Sequence, residues 1–245
     1  MGCTREDTSF KVGNIKEFRV VETQQIASEF RVLNMVSKEQ ILQWLQAVAV
    51  VLEQNKDYLT ELDAAIGDAD HGINMNRGFQ KVATQLPSVA DKDIGNILKT
   101  VSMTLISSVG GASGPLYGTM FLRASTAVAG KSELTDEEMV TLFQAFVEGI
   151  VQRGKANLGD KTMLDSLSPA ADTFEQAVVA GASTLEALQQ AVAAAEEGMK
   201  QTIPLVAKKG RASYLGDRSV GHQDPGATST YLILKTLWET VNSQS

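Results

Sequence analysis

Apolar residues recur at steps of three and four along most of this chain. From Ser37, the positions Ile41, Leu42, Leu45, Val48, Ala49 and Leu52 keep the period of one helical face, and Ser37 with Gln40 supplies a capping box to start it. A second helical stretch runs from Tyr58 to about Ile66. After Pro87, Asp91 opens another, with Ile94, Ile97, Leu98, Val101, Leu105 and Ile106 on one side. Pro115 stands near the start of a helix through Met120, Phe121 and Ala124, as proline tends to. Thr135 with Glu138 caps the helix of Met139, Leu142, Phe143, Phe146 and Ile150, and Ser183 with Glu186 caps an alanine-rich one to about Thr202. Between those two, Gly159 and Asp160 precede a helix holding Met163, Leu164 and Leu167, interrupted or kinked near Pro169. Asp224 with Pro225 caps the last helix, which ends near Trp238. About eight helical segments emerge, with no convincing alternating strand and mostly short connections. The expected class is all-α, a closed barrel or bundle of antiparallel amphipathic helices.

Residues 1–34 mix charge, Thr, Ser and isolated apolar positions without a sustained period. They read either as a poorly ordered tail or, with Met35 as the true start, as a translation artefact. The expected domain is residues 35–245.

Composition narrows the partners. The chain has 245 residues, 43% hydrophobic and 21% charged, enough for one full-sized core. Its net charge of −7 and pI near 5.0 argue against a nucleic-acid binder, which would show a basic face. A single cysteine, Cys3, excludes a disulfide framework and a cysteine zinc site, so a reducing cytoplasm is expected. No segment approaches the ~18 uninterrupted apolar residues of a membrane span. The start MGCTRED lacks a secretory signal and misses the myristoylation pattern at Glu6.

The candidate chemistry lies in the breaks between helices. LDAAIGDADHGINMNRGF places Asp63, Asp68 and Asp70 within eight residues, interleaved with Gly67, His71, Gly72 and Asn74. On one unbroken helix Asp63 and Asp70 would share a face but stand about 10 Å apart, with Asp68 turned away. Gly67 can end the helix after Ile66 and fold Asp68 and Asp70 back towards Asp63. Three hard oxygen ligands without sulfur suit Mg²⁺, which takes its other ligands from water and substrate phosphates. An acidic capped turn in water is the alternative. SSVGGASGP, Ser107 to Pro115, offers glycines before a helix N-terminus, suited to a phosphate or to close helix packing. The 24-residue run Val206 to Ser229 carries Lys208, Lys209, Arg211 and Arg218, which can clamp phosphates or form a solvated basic face. RGKANLGDKTM approximates a P-loop, but Asp160 intervenes before Lys161 and no strand precedes it, so that assignment fails. Two histidines, His71 and His222, exclude a histidine-rich metal site; His222 reads as structural, while His71, beside Asp70, is placed to touch a ligand.

Taken together, IGDADHGINMNRGF, SSVGGASGPLYG, RGKANLGDKTMLD and KKGRASYLGDRSVGHQDPGATS resemble the DhaL family, the ADP-binding subunits of dihydroxyacetone kinases. The resemblance covers about Ser37 to Thr240, and the N-terminal tail departs from it. It implies a barrel of eight antiparallel helices with ADP or ATP at one end. It also implies two Mg²⁺ ions held by Asp63, Asp68 and Asp70. Nucleotide contacts carry over to His71, Gly72, Ile73 and Asn74, to Ala112 and Ser113, to Gly154 and Met163, to Arg211, and to Asp224, Pro225 and Gly226. Arg211 would offset charge as the phosphoryl group moves. The implied partners are a subunit holding dihydroxyacetone and a phosphotransferase-system subunit carrying phosphohistidine, with a transcription regulator and a homodimer as further candidates. Two rivals stay open: an ATP-dependent branch with exchangeable nucleotide, and a binding module that reports nucleotide state to a regulator.

Overall fold

The structure, a computed structural model, describes residue 1 and residues 35–243. The tail expected over residues 1–34 lies, Met1 apart, outside the described residues.

Among the described residues nine α-helices form. Ser37 and Gln40 make both bonds of their capping box, at 3.2 and 2.9 Å, and start α1 (Lys38–Gln54). After Asn55 comes α2 (Lys56–Ile66), and after the Asp-rich turn α3 (His71–Gln85). A 3₁₀ turn, Leu86–Val89, leads to α4 (Ile94–Ser108), and the glycine-rich turn to α5 (Ser113–Ala127). The Thr135 and Ser183 boxes also form, opening α6 (Asp136–Gly154) and α8 (Thr184–Gln201) on either side of α7 (Leu164–Val179). The polar run after α8 is not all loop: a 3₁₀ segment, Arg211–Ser219, precedes α9 (Pro225–Asn242).

Packing closes these helices into a ring. In order, α1 packs on α3, α3 on α4, each of α4 to α8 on the next, α8 on α9, and α9 returns to α1. α2 is no stave of this ring; it packs chiefly on α3 and α9 and touches the 211–219 segment. The seam between first and last helix is tied by a buried hydrogen bond from Trp44 Nε1 to the Ile233 carbonyl, 2.9 Å. Inside, aromatic rings run from stave to stave. Trp44 and Phe79 meet Phe121, Phe121 meets Phe146 edge-on at 5.6 Å, and Phe143 stacks on Phe174 at 4.8 Å. Each such pair adds about 0.5–1.5 kcal/mol to what area burial provides.

Four local expectations are corrected. α4 starts at Ile94 because Asp93, not Asp91, accepts the Asn96 amide at 3.0 Å. Ile106 is 47% exposed and does not share the buried face. Of the two outcomes expected at Pro169, interruption does not occur: α7 continues through it, though its ring removes one amide donor, because Leu167, Ala170, Ala171 and Phe174 on both sides are buried. Two strands exist after all, Val36–Ser37 paired antiparallel with Glu133–Leu134; at two residues each they are too short for any periodicity to betray.

Replacing Trp44 by Phe removes this seam hydrogen bond, leaving the Ile233 carbonyl only its bond within α9, and leaves a gap where the larger indole is buried. Urea unfolding should show a loss of about 1–3 kcal/mol with an unchanged m-value.

Candidate functional site

The site begins where α2 stops. Gly67 has φ −136°, so no left-handed backbone is demanded of it. What it must provide is room, since a Cβ there would stand 2.0 Å from Asp63 Oδ1. The left-handed residue of the turn is Ala69, φ 60°. Through this turn the chain doubles back, and Asp63 Oδ2 accepts the amides of Asp70 at 2.9 Å and His71 at 3.1 Å. A carboxylate from the preceding helix thus caps α3, where the helix dipole favours negative charge. Asp63 is buried, Asp70 half-buried and Asp68 exposed, and each offers an oxygen within 4.8 Å of the others. Arg211 Nε donates to Asp68 Oδ2 at 2.8 Å. So exposed a pair adds little to stability, but it sets a positive charge against the acidic cluster.

The three aspartates form part of the wall of a cavity of about 650 Å³. The turn Gly110 to Ser113, with Gly111 left-handed at φ 63°, forms another part, as does Asp224-Pro225-Gly226 at the head of α9. Leu116, Ile150, Ala156 and Met163 make the lining apolar between these polar groups. Of the site residues expected from sequence, Asp63, Asp68, Asp70, His71, Ala112, Ser113, Gly154, Met163, Arg211, Asp224, Pro225 and Gly226 line this one cavity. Gly72, Ile73 and Asn74 do not. Gly72 is pressed on α2, where a Cβ would stand 2.0 Å from the Lys56 carbonyl. Ile73 is exposed. Asn74 is buried, accepts from Arg77 at 2.6 Å, and backs the glycine turn at Gly110. Once α3 begins at residue 71, helical rotation turns Ile73 outward, while Asn74, one turn on from Asp70 and His71, is set behind the glycine turn. Of the four basic residues in the 206–229 run, only Lys209 and Arg211 reach the wall. Lys208 is held by Asp160 at 3.5 Å and by the Gly159 carbonyl.

Beneath the wall lies a buried polar chain that sequence reasoning missed. His71 Nε2 meets Ser229 Oγ at 2.9 Å and its Nδ1 meets Ser113 Oγ at 3.2 Å. Tyr117 Oη contacts Ser229 at 2.7 Å and Thr230 at 2.9 Å, and donates to the Gly226 carbonyl at 3.2 Å. These contacts lock α3, α5 and α9 together at the site. Burial holds His71 down at about 4 despite the opposing charges of Asp63 and Asp70, and pushes Tyr117 up to about 12, so both are neutral near pH 7. Asp224 caps α9 by accepting the Ala227 amide at 2.7 Å. Burial raises it to about 7, against the pull of that hydrogen bond and of Lys161. Ser229 and Tyr117 lie inside stretches that sequence already marks, but their hydroxyls carry no local signal of long-range partners.

Chemically, three carboxylates without sulfur or imidazole among them form the donor set of a hard divalent cation. Lys209 and Arg211 beside them suit an anion such as a phosphate chain. The residues present therefore fit a magnesium-bound nucleotide.

Comparison with known proteins agrees with this architecture. The family described as DAK2 domain matches residues 65–239. The chain belongs to the DAK2 family. Within it, the chain is 50% identical over 202 residues to "PEP-dependent dihydroxyacetone kinase, ADP-binding subunit DhaL" of Escherichia coli, covering 82% of this chain and 96% of that one. To "PTS-dependent dihydroxyacetone kinase, ADP-binding subunit DhaL" of Lactococcus lactis it is 41% identical, over 84% of this chain and all (100%) of that one. Among solved structures, the DAK2 chain is similar to the dihydroxyacetone kinase from C. freundii in complex with AMP-PNP and Mg2+, with TM-score 0.61 and 25% identity. That match covers 81% of this chain but only 33% of the solved one, so this chain spans about a third of its length.

Two outcomes follow from the site's own energetics. Gly67→Ala forces the Asp63 carboxylate off the α3 amides, and urea unfolding should register a loss of about 1–3 kcal/mol. For Asp224 the folded value of about 7 exceeds the ordinary 3.8, so between those pH values the unfolded chain gives up a proton that the folded chain keeps. Stability from this group is therefore full below about pH 4 and is lost as pH rises through about 7. Asp224→Asn should gain on the wild type over that window in urea midpoints taken across pH, and the gain should level off above it.

Proposed function

We propose that this DAK2 chain is the ADP/ATP-binding subunit of a phosphoenolpyruvate-dependent dihydroxyacetone kinase. It would relay a phosphoryl group from phosphohistidine on one partner to dihydroxyacetone held on another. The observation that carries the reading is the meeting, at one cavity, of three mutually close carboxylates with Arg211 and the capped head of α9. Identity of 50% with the Escherichia coli ADP-binding subunit supports the same reading.

In this reading Asp63, Asp68 and Asp70 would hold two Mg²⁺ ions, and Ala112, Ser113, Gly154, Met163, Pro225 and Gly226 would border the nucleotide. Bound Mg-ADP supplies the phosphoryl acceptor and, once loaded, the donor. The protein's own work is positioning and charge neutralisation, on which phosphoryl transfer chiefly depends. Asp63, pinned by two amides, fixes the cluster. Arg211 and Lys209 offset negative charge on the transferring group. His71, bonded through both ring nitrogens and neutral, orients the turn and carries no phosphoryl group; the phosphohistidine belongs to the partner. A cytoplasmic setting fits an acidic chain in which no described helix is long and apolar enough to cross a membrane. A transcription regulator and a second copy of the chain remain further partners in this proposal.

A second reading, free exchange with ATP, is favoured by likeness to the C. freundii kinase, solved with AMP-PNP and Mg2+. Gel filtration of the purified chain separates the two. Co-eluting ADP supports the relay; nucleotide lost on the column but rebound from ATP supports exchange. Asp68→Ala should abolish retention and lower phosphotransfer by about 10²-fold or more, measured with both partner subunits present. A wild-type chain that binds no nucleotide with or without Mg²⁺ sinks both readings.

A further inference from the structure

Lys161 lines the cavity, yet neither the metal cluster nor the nucleotide contacts account for it. It is 1% exposed, which is rare for a lysine without a carboxylate partner. Its Nζ donates to the carbonyls of Thr202 at 2.8 Å, Ser219 at 2.8 Å and His222 at 2.5 Å. The carbonyls of Leu205 and Ile203 stand at 3.2 and 3.5 Å. Three short contacts match the three N–H groups of an ammonium. A neutral amine would turn a lone pair on this ring of oxygens, so the geometry requires the charged form even though burial lowers the lysine's pKa. The acid whose charge reaches it is Asp224.

The cage gathers both ends of one segment. Thr202 and Leu205 follow α8, and Ser219 and His222 precede α9. Lys209 and Arg211 project between the two ends, and Asp224 comes two residues after the last cage member. Three further bonds join the two arms: Gly221 donates to the Ile203 carbonyl at 2.8 Å, Ala207 to Ser219 Oγ at 2.9 Å, and the Asp224 amide to Thr202 Oγ1 at 3.0 Å. We propose that Lys161 is a positioning residue, a tethered cation whose carbonyl cage holds residues 202–222 in the shape that presents Lys209 and Arg211 to the cavity and starts α9 at Asp224. The cage stands independently of the nucleotide reading, on which only the loop's effect on ligand affinity rests.

The test uses Lys161→Gly in the full chain. Lys161 has φ 60°, a conformation glycine adopts freely, so the substitution empties the cage without straining the backbone. Two readouts are taken: trypsin cleavage after Lys209, Arg211 and Arg218, mapped by mass spectrometry without ligand, and ADP affinity with Mg²⁺. Cleavage should accelerate and ADP affinity fall, each by about tenfold or more, the equivalent of one charged hydrogen bond lost. n-Propylammonium, which brings three N–H donors into the vacated space, should reverse both effects, while tetramethylammonium at equal ionic strength should not. Wild-type protection of the loop in Lys161→Gly overturns the proposal, as does equal rescue by both ammonium ions. Should Lys161→Gly lose its helical circular dichroism, Lys161→Met, which keeps the apolar stem, takes its place and is read by cleavage alone. A wild-type chain that fails to bind ADP sinks the functional reading, and the cleavage arm still decides the cage.

Discussion

Like charges repel, and this fold holds three carboxylates with oxygens inside 4.8 Å of one another at one end of a helical ring. Much of the local architecture exists to make that arrangement tolerable. Asp63 is the anchor, buried yet bonded to two amides at the positive end of α3, so its charge is met by fixed dipoles instead of water. Asp68, the most exposed of the three, leans on Arg211. Asp70 lies between them in exposure. A cation added to this cluster relieves repulsion that protein groups alone offset only in part.

The ring supplies rigidity where the turn cannot. Apolar staves interlocked by Trp44, Phe79, Phe121, Phe143, Phe146 and Phe174 fill the interior. At the site end, packing gives way to a hydrogen-bonded chain through His71, Ser113, Ser229 and Tyr117. Apolar contacts tolerate sliding; a fully satisfied buried polar network does not, because each broken bond leaves a group unpaired in a low dielectric. The heads of α3, α5 and α9 are thereby held in one relation, and these helices contribute the acidic turn, the glycine turn and the Asp224 cap.

The segment joining α8 to α9 uses a different device. It has too few apolar residues to fold on its own core, and Lys161 draws its two arms together through backbone carbonyls. Ordering a polar loop by one internal cation involves no partner carboxylate and leaves Lys209 and Arg211 at the cavity.

Sequence alone determined the helices, their capping boxes and the acidic turn, because each depends on residues a few positions apart: a 3.6-residue period, a Ser or Thr three residues before Glu or Gln, a glycine after Ile66. The family likeness extended this to a list of residues, most of which share one cavity wall. Only the tertiary structure decided which of that list face the cavity, since Gly72 is pressed on α2, Ile73 turns to solvent and Asn74 sits behind the glycine turn. It also decided that Gly67 is required for space and not for its backbone angle, that α7 survives Pro169, and that Lys161 is caged. Each of these depends on groups dozens of residues distant, such as Asp63 against a returning loop or an ammonium against carbonyls of residues 202–222, and no local pattern encodes where such groups will meet.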